Sequence, residues 1–147
     1  MKTTVLLVED NEDDIFFMRL AWEKAGVSHP LQVVQDGQQA VDYLAGVGKY
    51  ADRQQFPLPC LVLLDWKLPY LMGVEVLKWI RSRSALKTLP VLVLTSSVQA
   101  SDIDRAYRLG ANAYLEKPSD AAKLADLVKL IKSFWLSAIR FPTAPGE

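Results

Sequence analysis

Cysteine and histidine are nearly missing from this chain: Cys60 and His29 are its sole examples of either residue. A single thiol cannot build a disulfide framework, and one of each excludes zinc sites of the Cys/His kind and Cys–His nucleophilic pairs. A charge excess is also lacking, since 17 Lys+Arg stand against 17 Asp+Glu. That balance argues against the basic surface with which nucleic-acid binders neutralise phosphates. No apolar run approaches the roughly 20 residues needed to cross a bilayer. The stretch Thr3–Val8 is too short for a secretory leader, and Glu9 and Asp10 follow it directly. No nucleic-acid or membrane partner is expected, and the cytoplasm is the expected compartment. His29, next to Pro30, is expected at the surface of a loop.

What is present is a core. The 147 residues are 50% hydrophobic and 23% charged, which fits one compact domain spanning 1–147. A chain of this size buries roughly two-thirds of its unfolded surface without disulfides. Short apolar runs at Val5–Val8, Leu61–Leu64 and Val91–Leu94 suit strands covered on both faces. Weaker strands are expected at Leu31–Gln35 and Ala113–Glu116. Between them lie helical stripes: Ile15, Met18 and Trp22; Ala40, Val41 and Leu44; Val74, Leu77 and Ile80. Ser101 with Asp104 has the spacing of a capping box and predicts a helix through about Leu109, ended by Gly110. The fold class is therefore α/β: a five-stranded parallel (βα)5 sheet with right-handed crossovers and helices on both faces. Residues 46–59 form a longer loop, expected as a surface elaboration. The final helix is expected from Ser119 to about Arg140, roughly 30 Å, along the stripe Leu124, Leu127, Val128, Ile131 and Trp135 or Phe134. A loose tail, 141–147, follows.

In such sheets the reactive groups gather outside the carboxyl ends of the strands. Strand one ends in Glu9-Asp10, strand three in Asp65, strand four in Thr95, and strand five leads into Lys117-Pro118. Singly, each reads as a turn, a cap or a surface charge, and Asp13 and Asp14 keep that reading. Together they deliver three carboxylates, a hydroxyl and an ammonium to one rim. Two carboxylates about 4 Å apart repel by roughly 4 kcal/mol at an effective dielectric of 20, so the cluster needs cations. Mg²⁺ suits one or two carboxylates with waters and phosphate oxygens, and Lys117 is a point charge for the same phosphate. With a metal offsetting repulsion, a carboxylate can attack phosphorus and become an aspartyl phosphate. Asp65 is the candidate nucleophile, Glu9 and Asp10 the metal-holding pair, and Thr95 a donor to a phosphoryl oxygen.

These residues resemble the response-regulator receiver domain of two-component signalling, a flavodoxin-like fold. The likeness covers almost the whole chain: Leu6-Leu-Val-Glu-Asp-Asn11, Leu64-Asp-Trp-Lys-Leu-Pro69 with Gly73 beyond, Thr95-Ser-Ser97, and Tyr114 through Lys117-Pro118. The resemblance implies Asp65 as phosphoacceptor, Asp10 as the main metal carboxylate assisted by Glu9, and the backbone carbonyl of Lys67 as a further Mg²⁺ ligand. It also implies a switch pair, Thr95 and Tyr114, acting on the face of the fourth helix, fifth strand and fifth helix. A cis peptide at Lys117-Pro118 is implied as well. Such a domain is a signalling phosphoacceptor rather than an enzyme, with Mg²⁺-dependent self-phosphorylation and dephosphorylation at Asp65. The long loop and final helix resemble a subgroup of stand-alone receivers, some of which serve bacterial phytochrome-type histidine kinases.

Two rival chemistries fit less well. A haloacid-dehalogenase-like phosphatase wants a second acid where Lys67 stands. A flavin phosphate would meet five acids in the six positions Glu9–Asp14. The remaining alternative is a receiver-shaped interaction module or phosphate sink whose binding is independent of phosphorylation. The donor would be a histidine kinase or a phosphotransfer protein, docking around Ile15, Phe16 and Arg19. A homodimer is expected through the final helix, where Phe134, Trp135, Leu136 and Ile139 cannot share one narrow stripe.

Overall fold

The computed structural model describes residues 3–142. Five parallel strands, β1 (Val5–Val8), β2 (Leu31–Val34), β3 (Leu61–Leu64), β4 (Val91–Thr95) and β5 (Ala113–Glu116), lie in the order β2-β1-β3-β4-β5. The expected parallel α/β fold is thus observed. The three central strands are wholly buried, whereas the edge strands β2 and β5 are mostly half-buried. This explains why the edge strands carry the weaker apolar signal.

Alternation along the strands splits the core in two. Leu6, Val8, Val62, Leu64, Val91 and Val93 pack on one face with α2 (Gly37–Ala45) and α3 (Gly73–Ser82). Val5, Leu7, Leu61, Leu63, Leu92 and Leu94 pack on the other with α1 (Glu12–Lys24) and α5 (Ala121–Leu130). The expected stripe of α1 is buried at Ile15, Met18 and Trp22. In α2 the buried side chains are Ala40, Tyr43 and Leu44, with Val41 half-buried. Side-chain caps open three helices: Asn11 accepts from the Asp14 N–H, Asp36 from Gln39, and Asp120 from Lys123.

The expected capping box is not formed. Helix α4 (Ala100–Arg108) begins ahead of Ser101, because the N–H groups of Asp102 and Ile103 both donate to the Gln99 carbonyl and place Ser101 inside the first turn. Gly110 does follow its end, at φ +103°.

Residues 46–59 are more than a surface elaboration. A 3₁₀ turn, Gly48–Ala51, brings Tyr50 onto Tyr43, and Phe56 closes an aromatic cluster with both rings. Arg53 donates to the carbonyls of Tyr43, Leu44 and Phe56, so one guanidinium satisfies the open end of α2 and ties the loop to it. The final helix starts at Ala121 rather than Ser119 and changes to π turns over Ile131–Ala138, after which Ile139 is extended. Leu124, Val128 and Ile131 are buried, Trp135 and Leu136 pack on the same core, and Leu130 and Phe134 are exposed. Of the expected tail, 143–147 lie outside the described residues.

Replacing Arg53 by Ala strips three carbonyls of their shared donor, and a loss of about 2 kcal/mol is expected in urea denaturation. Arg53→Lys should recover little, because an ammonium lacks the planar fork that reaches both segments.

Candidate functional site

Strand order reverses between β1 and β3, and the crevice at that point collects the acidic residues. Register does the placing: Val8 pairs with Leu64, so Glu9 and Asp65 stand side by side one step beyond. The Asp65 N–H donates to the Val8 carbonyl at 3.1 Å and locks that neighbourhood. Glu9 and Asp65 are buried while Asp10 is exposed, and each of the three offers an oxygen within 4.8 Å of the others. Clustered, partly water-facing carboxylate oxygens fit a hard divalent cation that keeps several waters.

The chain's own cation in this crevice is Lys117. Its Nζ lies 2.5 Å from Glu9 Oε1, 3.0 Å from Asp14 Oδ2 and 3.2 Å from Asp65 Oδ2. Burial pulls its pKa down, but the hydrogen bond to Glu9 and the charges of Asp65 and Glu9 outweigh that and hold it above the ordinary lysine value. Burial pushes Glu9 up to about 7, against the hydrogen bond from Lys117 and helped by the Asp65 charge. The peptide bonds of the described residues are all trans, so the cis Lys117-Pro118 bond expected from the resemblance is not formed. Trans is the ordinary choice by about 0.5–1 kcal/mol, and from it Lys117 reaches all three acids, with its N–H bonded to the Thr95 carbonyl.

Asp14, which taken alone reads as a turn, a cap or a surface charge, is a further member of the cluster. Its N–H is capped by Asn11 at 2.9 Å, which sets it in the first turn of α1 over the crevice. The spacing Asn11 to Asp14, that of a helix cap, was the available signal.

Thr95 is fully buried at the tip of β4, its hydroxyl oxygen 3.4 Å from the Ser97 N–H. Tyr114 is half-buried on β5; its hydroxyl donates to the Ser97 carbonyl at 2.9 Å, and its ring meets Trp66 edge-on with centroids 6.5 Å apart. Burial raises the Tyr114 pKa. Lys67 donates its N–H to Asp65 Oδ1 at 3.2 Å. Gly73 lets α3 begin against this loop: a β-carbon there would stand 2.4 Å from the Asp65 carbonyl oxygen and 2.7 Å from the Trp66 α-carbon. Asp65, Glu9, Asp10 and Lys117 are therefore brought together, with Thr95 and Lys67 bordering them and Tyr114 one layer out. Ile15, expected in the docking patch, faces the core, whereas Phe16, Phe17 and Leu20 are the exposed apolar residues of α1.

Removal of the Lys117 charge leaves buried acids uncompensated, and Lys117→Met should cost about 3 kcal/mol of stability at pH 8. Glu9 titrates at 4.5 when unfolded and about 7 when folded. Its proton therefore favours the fold: that contribution is complete below pH 4.5 and disappears as pH rises through 7. The Lys117→Met deficit should accordingly narrow at pH 5.5; equal losses in urea titrations at both pH values would show that Lys117 does not compensate Glu9.

The chain resembles proteins of known kind. Residues 5–129 match the response regulator receiver domain. The chain is 36% identical over 140 residues to response regulator Rcp1 of Synechocystis sp., covering 95% of this chain and 93% of Rcp1. The phosphorylated cyanobacterial phytochrome response regulator RcpA superposes with a TM-score of 0.90 at 38% identity, covering 97% of this chain and all of RcpA. The Mn²⁺-bound form of Rcp1 superposes with a TM-score of 0.86 at 35% identity, covering 96% of this chain and 99% of Rcp1. With a parallel sheet in this order, acids at its switch point and a lysine just beyond the fifth strand among them, the chain belongs to the response regulator receiver family.

Proposed function

We propose that Asp65 accepts a phosphoryl group from a histidine kinase or a phosphotransfer protein, and that the face of α4, β5 and α5 carries the message onward. The observation that carries this reading is the convergence of Glu9, Asp10 and Asp65 oxygens within 4.8 Å, with Lys117 Nζ among them. Glu9, Asp10, Asp65 and the Lys67 carbonyl would hold Mg²⁺. That ion, when bound, offsets the repulsion between an attacking carboxylate and the phosphoryl oxygens.

An Asp65 carboxylate oxygen attacks phosphorus; the new bond is O–P, and the bond broken is N–P in a phosphohistidine donor or O–P in an acyl phosphate. The imidazole leaves as the neutral base after taking a proton, and an acyl group leaves as the carboxylate. Lys117 offers its ammonium to a phosphoryl oxygen, and Thr95 its hydroxyl to another. Movement of Thr95 toward the phosphoryl group disturbs its contact with Ser97, the residue that also anchors the Tyr114 hydroxyl. A charge on Asp65 thereby becomes a repacking at Tyr114. The exposed side chains of Phe16 and Phe17 at the start of α1, with Arg19, supply the docking surface for the donor. The likeness to RcpA, a cyanobacterial phytochrome response regulator, supports a bacterial phytochrome-type kinase as that donor, and the cytoplasm is the compartment we propose. No helix among the described residues is long and apolar enough to cross a membrane.

A second association is proposed through the final helix. Phe134 and Leu130, four positions apart, expose 55% and 64% of their surfaces, an apolar stripe suited to a second copy of the chain.

Incubation with Mg²⁺ and acetyl phosphate should add one phosphoryl group by intact mass, and Asp65→Asn should abolish it; labelling that survives Asp65→Asn would refute the assignment. In thermal melts Mg²⁺ at ten times its Kd should add about 1.4 kcal/mol, a gain lost in Asp10→Asn. Light scattering across a concentration series should reveal a dimer that Phe134→Asp returns to monomer.

A further inference from the structure

Lys67 and Asp102 form an ion pair between the loop after β3 and the first turn of α4, and the roles proposed above leave it unused. Lys67 is rooted two residues beyond Asp65, its N–H donating to Asp65 Oδ1 at 3.2 Å. Its ammonium lies 3.8 Å from Asp102 Oδ2, in the first turn of α4. Asp102 is itself held: the same Oδ2 accepts the Ser97 hydroxyl at 2.6 Å, and the Ser97 carbonyl accepts the Tyr114 hydroxyl at 2.9 Å. A chain of polar contacts therefore runs from the loop of the proposed phosphoacceptor through α4 to Tyr114.

The two partners differ in freedom. The Asp102 side chain is 19% exposed and fixed by Ser97, while that of Lys67 is 57% exposed on a flexible four-carbon stem. An ion pair this exposed is weak. A phosphoryl group on Asp65 brings up to two negative charges next to the root of that stem, against the single charge of Asp102. The ammonium is then drawn from α4 to the phosphoryl oxygens, and Asp102 keeps Ser97 as its remaining partner.

We propose that Asp102 is a positioning residue that parks the Lys67 ammonium on α4, and that arrival of an oxyanion at Asp65 takes it away. Lys67 then reports the charge on Asp65 directly to the first turn of α4, a route additional to Thr95 and Tyr114. This inference rests on Asp65 being the phosphoacceptor.

The test is a double-mutant cycle on the full chain, with beryllofluoride in the presence of Mg²⁺ as the phosphoryl mimic and titration calorimetry as the readout. Asp102→Asn frees the ammonium and should tighten binding about three- to five-fold, the range open to an exposed pair. Lys67→Met should weaken binding, and adding Asp102→Asn to Lys67→Met should change nothing further. Tightening by Asp102→Asn that persists in the Lys67→Met background would mean simple relief of anion repulsion and overturn the proposal, as would no tightening at all. Binding that is absent in the parent chain, or that survives Asp65→Asn, would instead overturn the phosphoacceptor reading. Thermal melts of each variant exclude a folding defect as the source of any change.

Discussion

One half-buried ammonium makes this crevice possible. Glu9 and Asp65 are both withdrawn from water at the ends of neighbouring strands, with Asp14 close by, and such a group of like charges would drive the strand tips apart or force protonation. Lys117 sits among all three. Even so, compensation is incomplete, and the raised pKa of Glu9 records it. A site left with an excess of acid charge responds strongly when a divalent cation is added.

The sheet delivers these groups by topology more than by local sequence. Consecutive strands fall on opposite sides of β1, so the loops after β1 and β3 part from each other and leave a crevice between them. The pairing of Val8 with Leu64 sets Glu9 beside Asp65, and the pairing of Thr95 with Glu116 brings Lys117 next to the end of β4. Around this rim, polar contacts couple the loops. Ser97 touches Thr95, Asp102 and Tyr114, so a shift at any one of them is felt by the others. Far from the rim, Arg53 and the aromatic cluster of Tyr43, Tyr50 and Phe56 make the long loop part of the body.

Much of this was legible in advance. Runs such as Leu61–Leu64 admit one placement in a chain of this size, buried between two layers, and the polar residues that end them must then sit on the rim. The family resemblance rested on the same tips. Asp14 reads in the sequence as an ordinary acid of a first helical turn, and only the approach of Lys117 from the far end of the chain gives it a further role. Ile15 belongs by its periodicity to the buried stripe and by its neighbours to the docking patch; adjacent residues on a helix point 100° apart, so the core takes Ile15 and leaves Phe16 outside. Ser101 had the spacing of a cap, but the Gln99 carbonyl had already begun the turn.

The sequence alone determined the strands, the order of strand and helix, and which acids, hydroxyl and lysine stand at strand ends. Those features follow from hydrophobic pattern and chain direction, which are local. Tertiary structure decided which carboxylates share Lys117, that its bond to Pro118 is trans, that Lys67 leans toward α4, and that Leu130 and Phe134 stay exposed. Each of these depends on the distance between residues far apart in the chain, and the energy of a charge or an apolar side chain is set by neighbours that only folding supplies.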